Sequence, residues 1–255
     1  MQPVFAPRTS RARVSPRLAA LLAIVLVPAT VVLAFLWAPV NEIGLVGGKM
    51  QYDFPQKVFY LHVPLAIAGA YLSFAAGAWN GLLYLLRDDE DYDIRSYVGV
   101  HCGVVFGTLV LATGSIWAKA AWGVWWQWQD RQLLVFLTLF LFYSAYFVLR
   151  FSIDAGRARA RASAVYSVLG VALVPLSFLA IRISDTLIHP IVITPHENRL
   201  TGPMWGTFAV GIIGFGALAI WMMQLETLGK LRAARGWCCD DERPEGVAAE
   251  ASAHA

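Results

Sequence analysis

Residues 96–118 read SYVGVHCGVVFGTLVLATGSIWA, twenty-three positions without one Asp, Glu, Lys or Arg. An α-helix crosses the hydrocarbon layer in about 20 mostly apolar residues, within a range of about 17 to 25. The run is therefore long enough to span a membrane. Five more stretches of the 255-residue chain share its lack of charge: 18–41, 58–86, 132–149, 162–181 and 200–225. Of these, 132–149 is short, and 58–86 is expected to begin outside the apolar layer.

The composition agrees with six such crossings. Hydrophobic residues make up 58% of the chain and charged residues 15%, against about 25% charged in soluble domains. In lipid, every backbone N–H and C=O must be paired within the spanning structure, which leaves helices or closed barrels. Barrel strands alternate polar and apolar residues over about ten positions, and these runs do not alternate. The expected fold is an all-α integral membrane protein with six transmembrane helices. The first run follows Arg8, Arg11, Arg13 and Arg17 as a signal peptide would, but signal cores are only about 7 to 15 residues long. It is read as an uncleaved span.

Lys and Arg concentrate on the cytoplasmic side of membrane proteins. With the N-terminus inside, that side receives 14 of the 20 basic residues, Arg157, Arg159, Arg161, Lys230, Arg232 and Arg235 among them. Both termini are therefore expected in the cytoplasm. The organisation that follows is a basic arm over 1–17, a membrane domain over 18–226 and a tail without fixed structure over 227–255. Segments 42–57, 119–131 and 182–199 are left on the outer face. The net charge of +3 follows from the loop asymmetry, so no nucleic-acid site is read into it. Three cysteines, Cys102 and the tail pair Cys238 and Cys239, make no disulfide framework and too few ligands for a metal site.

One outer segment carries most of the chemistry. Residues 117–130, WAKAAWGVWWQWQD, hold five of the ten tryptophans: Trp117, Trp122, Trp125, Trp126 and Trp128, with Gly123 supplying a turn. Tryptophan is enriched at membrane interfaces, so an aromatic belt is one reading of this tryptophan-rich loop over 117–131. A shelf for a planar apolar ligand, held by stacking and area burial, is the other. His62 in FYLHVP and His189 in DTLIHPIVIT are expected near the same outer face. Imidazole is the commonest metal ligand, and an iron porphyrin takes axial ligands on its two faces. Arg131, Lys119 and Arg199 are candidate partners for its propionates, Arg being best shaped for a carboxylate. His101 is expected near the cytoplasmic end of the third span, bonded to a neighbouring helix. His196 is a weaker substitute for His189, and His254 lies in the tail.

YLHVP, the ATGSIWAKAAWGVWWQW block and the late outer-loop histidine resemble the CcmC, or haem exporter protein C, family of cytochrome c maturation. That family lies within the haem-handling superfamily with a tryptophan-rich "WWD" segment, which includes CcmF and CcsA. The resemblance covers about residues 50–225. It implies a protein of the bacterial cytoplasmic membrane that presents non-covalent haem b at the outer face and delivers it to the haem chaperone CcmE, beside CcmA, CcmB and CcmD. Carried over by motif, the axial ligands fall on His62 and His189, and the haem platform on Trp117, Trp122, Gly123, Trp125, Trp126 and Trp128. The chain departs from W-x-W-D in having Gln129 after the last tryptophan and Asp130 one place later.

Two other readings stay open. A CcsA-like haem lyase would attach haem to apocytochrome directly, with His101 as the residue to watch. A permease subunit would show polar groups or broken helices at mid-membrane, and the six runs contain few. No G-x-x-x-x-G-K phosphate loop is present, so this chain is not itself expected to be the ATPase.

Overall fold

The computed structural model describes residues 15–46, 49–183 and 200–240. Within them lie six helical stretches long and apolar enough to cross a membrane. The first is α1 (Pro16–Leu36). The second is one continuous rod of α2 (Gln56–Pro64), a π-helical segment (Leu65–Tyr71) and α3 (Leu72–Arg87). Then come α4 (Glu90–Trp122), α5 (Arg131–Phe151), the pair α6 (Arg157–Gly170) and α7 (Leu173–Ile183), and α8 (Gly202–Asp240). Six crossings bring residues 15 and 240 to the same side of the bundle. The opposite side, called the tryptophan face below, carries the 123–130 loop.

The bundle inverts the radial polarity of a soluble protein. Leu21, Ile24, Val32 and Phe35 on α1 are exposed, while Thr30, Ser73, Ser163 and Ser167 are fully buried. Lipid tails are as apolar as leucine, so helices associate here by close packing and interhelical hydrogen bonds rather than by expelling water. The α3–α4 contact shows the requirement. A Cβ added at Gly99 would fall 2.4 Å from the backbone nitrogen of Gly77, and one added at Gly77 would fall 2.8 Å from that of Val100. The two backbones touch. Phe74 stacks on Tyr143 at 4.3 Å, and the Tyr143 hydroxyl donates to the Ser167 carbonyl at 2.9 Å, which joins α3, α5 and α6.

Four boundaries differ from the sequence expectation, each for a local reason. The third run is charge-free only from residue 96, but α4 begins at Glu90. Asp89 caps it, accepting from the Asp91 N–H at 3.0 Å, and Glu90, Asp91 and Asp93 occupy the first turn, where the helix dipole favours negative charge. At its other end α4 runs on to Trp122, so the segment expected as a loop from 117 begins at Gly123. No helix breaker precedes that glycine, which has φ +77° and sends its N–H to the Lys119 carbonyl at 3.1 Å. Helix α8 continues to Asp240, which replaces the expected unstructured tail over 227–240. Leu231 stays buried there and Lys230 lies 3.7 Å from Glu226, one turn earlier. The all-α reading holds for every span, but β1 (Glu42–Val46) and β2 (Lys49–Tyr52) pair as a small antiparallel ribbon, with a bulge between Glu42 and Gly44.

Because the α3–α4 contact has no room for a side chain, Gly99→Val should destabilise the fold by more than the usual overpacking cost of about 1–3 kcal/mol. Thermal unfolding in detergent checks this, the variant melting well below the wild type.

Candidate functional site

His62 sits in the last turn of α2, two residues before Pro64 and the π-helical segment. Pro64 has no N–H to donate, and the wider turn that follows absorbs the irregularity; such π segments are frequent at functional sites. The imidazole packs against α4. Its Nδ1 lies 2.9 Å from the Thr113 hydroxyl, and a Cβ at Gly114 would fall 2.9 Å from its Cε1. The ring is thus seated on the bare backbone of residue 114. Trp117 follows Thr113 and Gly114 by four and three residues, one turn along the same face of α4. The first half of the tryptophan block and His62 are therefore neighbours.

The indoles form two edge-to-face pairs. Trp117 and Trp122 meet at 4.8 Å and 75°, Trp126 and Trp128 at 5.9 Å and 63°. The rings do not share one plane, which corrects the expectation of a flat shelf. Edge-to-face geometry is what the aromatic quadrupole favours. Trp125 is 59% exposed and Trp128 66% exposed, a large apolar area presented at the face of the membrane domain. Lys119 bends back over this loop. Its ammonium donates to the Gly123 carbonyl at 2.8 Å and lies 6.0 Å from the centre of the Trp125 ring.

Asp130, displaced by one place from the W-x-W-D pattern, caps α5. It is 2% exposed and accepts from the Leu133 N–H at 3.0 Å. Arg131 follows as the first residue of α5, exposed, at the rim of an apolar cavity of about 250 Å³ lined also by Leu134, Val135, Leu176 and Ala180. His189, His196 and Arg199, the other expected ligands, lie outside the described residues. Among the described residues no group of three or more His, Cys, Asp and Glu could hold a metal ion. A haem iron, which brings four ring nitrogens of its own, does not need such a group.

His101 belongs elsewhere. It lies twelve residues before Thr113 on α4, about 18 Å along the helix axis at 1.5 Å per residue. Its Nδ1 is 2.8 Å from the Glu226 carboxylate on α8, the bond to a neighbouring helix that its position implied. The same end holds a two-pronged ion pair between Arg150 and Asp93 at 2.8 and 2.7 Å. Between the two groups, the Tyr97 ring lies 5.2 Å from the Arg150 guanidinium and 4.5 Å from the Lys230 ammonium. This network ties α4, α5 and α8 together opposite the tryptophan face.

Sequence reasoning missed Thr113, Gly114 and Lys57. The first two are ordinary span residues whose one signal is their helical spacing from Trp117. Lys57 is buried, and its ammonium donates to the Ala38 carbonyl just beyond the end of α1. Its placement at the very start of a charge-free run hinted at a fixed partner.

The sequence matches the Heme exporter protein C family over residues 4–235. The chain belongs to that family. It is 29% identical over 186 residues to the Heme exporter protein C of Rhodobacter capsulatus, covering 70% of this chain and 74% of that one. With the Haemophilus influenzae protein of the same name it shares 29% over 198 residues, 74% of this chain and 79% of its relative. A putative cytochrome c biosynthesis ccmC-like mitochondrial protein of Arabidopsis thaliana is 31% identical over 111 residues, 42% of this chain and 43% of that one.

If Asp130 acts as a helix cap, Asp130→Ala should lower stability by about 1 kcal/mol, whereas Asp130→Asn, an equally good cap, should be nearly neutral. Thermal unfolding of the two variants in detergent separates this role from a need for the negative charge.

Proposed function

We propose that this protein binds haem non-covalently at its tryptophan face, on the outer side of a bacterial cytoplasmic membrane, and delivers it to the haem chaperone CcmE in c-type cytochrome biogenesis. CcmA, CcmB and CcmD are the proposed partners in the membrane, and both termini of this chain are proposed to be cytoplasmic. The observation that carries the reading is the seating of His62 on Thr113 and Gly114, one helical turn from Trp117 and beside a loop of exposed indoles. A lone interfacial histidine or an aromatic belt would need no such conjunction.

In this account haem is the cargo, and its iron supplies the site for imidazole ligation. His62 holds one axial position and His189, from the segment before α8, the other. Trp117, Trp122, Trp125, Trp126 and Trp128 contact the ring, with Gly123 turning the loop around it. Arg131 is proposed to pair with a propionate, its exposed guanidinium standing at the first turn of α5. Lys119, which already satisfies the Gly123 carbonyl, serves better as a clamp on the loop than as a propionate partner.

The energetics suit handing on rather than storage. Covering about 100 Å² of exposed indole is worth roughly 2.5 kcal/mol at 25 cal/mol per Å². Affinity built from a few such contacts and imidazole ligation remains finite, and affinity is tuned mostly through the off-rate. Helix-borne His62 gives a fixed anchor, while the open face leaves the cargo accessible to an acceptor. The hydrogen bond of His101 to Glu226 on α8 at 2.8 Å supports a structural task for it rather than one in a lyase. No chemistry is assigned to this chain beyond binding and transfer.

An absorption spectrum of the purified protein tests the proposal. Wild type should carry haem with a Soret band of bis-imidazole character. His62→Ala and His189→Ala should each bind at least tenfold more weakly, and the double variant should be empty. A His62→Ala protein with the wild-type Soret band and full loading of the chaperone contradicts the assignment.

A further inference from the structure

We infer that Thr113 is a positioning residue that holds His62 in the Nδ1–H tautomer, so that Nε2 carries the lone pair offered to the haem iron. The inference rests on the proposed haem reading for its purpose, but not for its geometry. A threonine hydroxyl has one proton to give and two lone pairs to accept with. The Thr113 Oγ1 has the Leu109 carbonyl at 2.8 Å and the Val110 carbonyl at 3.2 Å, the back-bonding habit of hydroxyl residues inside helices. With its proton given to the backbone, Thr113 faces the His62 Nδ1 at 2.9 Å as an acceptor. That nitrogen must then be the one bearing hydrogen.

A neutral imidazole protonated on Nδ1 has its lone pair on Nε2, and the partner of one ring nitrogen decides which nitrogen can bind a metal. The reverse tautomer would put N–H on Nε2 and remove it as an iron ligand. Gly114 completes the seat. A Cβ there would fall 2.9 Å from Cε1 and 3.7 Å from each ring nitrogen, so any side chain would turn the ring away from Thr113. The TG pair therefore fixes both the proton and the angle of the imidazole. Outer partners of metal-bound histidines typically govern affinity by about 10- to 100-fold.

The test uses the full-length protein in detergent, labelled with nitrogen-15 histidine, first without haem. The His62 signals are assigned by difference against His62→Gln. Wild type should show a protonated Nδ1 and an unprotonated Nε2; a protonated Nε2 overturns the inference, whatever haem does. Thr113→Val, nearly isosteric, should lose the single tautomer and bind haem about 10- to 100-fold more weakly, while Thr113→Ser should restore both. A valine variant with the wild-type tautomer and affinity also overturns it. If Thr113→Val fails to fold, the wild-type spectrum still decides. The haem reading fails separately, through unchanged haem affinity in His62→Gln, while the tautomer is read in the protein without haem.

Discussion

Hydrocarbon leaves no water for an unpaired peptide group, and the rest of this architecture depends on that constraint. Each span must close its own hydrogen bonds as a helix, so irregular backbone is pushed to the two faces. The turn at Gly123 and the β1–β2 ribbon lie outside the spans. Among the described residues two departures lie within spans: the π-helical segment over Leu65–Tyr71 keeps its backbone bonds in a wider turn, and the turn between α6 and α7 keeps them in tighter ones, Val171 N–H to the Val168 carbonyl at 3.2 Å and Val174 N–H to the Val171 carbonyl at 3.1 Å. Helix contacts in lipid gain little from burying apolar area, and the Gly77–Gly99 approach shows what replaces it: backbones close enough that a methyl group would not fit.

Helix α4 divides the labour between the faces. One end carries Tyr97 and His101 in a network with Arg150, Glu226 and Lys230, which fixes three helices to one another. The other end carries Thr113, Gly114 and Trp117 around His62. The same rod thus sets the anchoring end and the proposed ligand-presenting end at a constant separation. A ligand that must be released benefits from this arrangement. The imidazole is held between helices, while Trp125 and Trp128, on the loop beyond Gly123, are exposed, as the proposed transfer to an acceptor requires.

The spans were legible because absence of charge over twenty or so residues has one physical meaning in a chain of this composition. Their ends were not. Helix α4 outran the charge-free window at both ends, since Lys119 and the acidic residues 90–93 are as compatible with a helix outside the lipid as with a loop. The continuation of α8 to Asp240 was hidden for the same reason. In the site, the tryptophans and His62 stood out by residue type. Asp130 departs from the W-x-W-D pattern by one place, and the sequence assigns it no role; its position before α5 makes it a cap. Thr113 and Gly114 could not be found by type at all; they matter only because α2 is brought against α4, and that contact is a tertiary fact. The edge-to-face setting of the indoles is a matter of ring orientation, which residue identity does not encode.

The most direct test of the account is the side of the membrane on which the tryptophan face lies. A single cysteine at position 124, in a protein whose Cys102, Cys238 and Cys239 are replaced, would be treated with a membrane-impermeant maleimide in spheroplasts and in inverted vesicles. The account requires labelling from the outside in intact spheroplasts, and protection of that label when haem is bound. Labelling confined to inverted vesicles would put the indoles and His62 on the cytoplasmic side and contradict it.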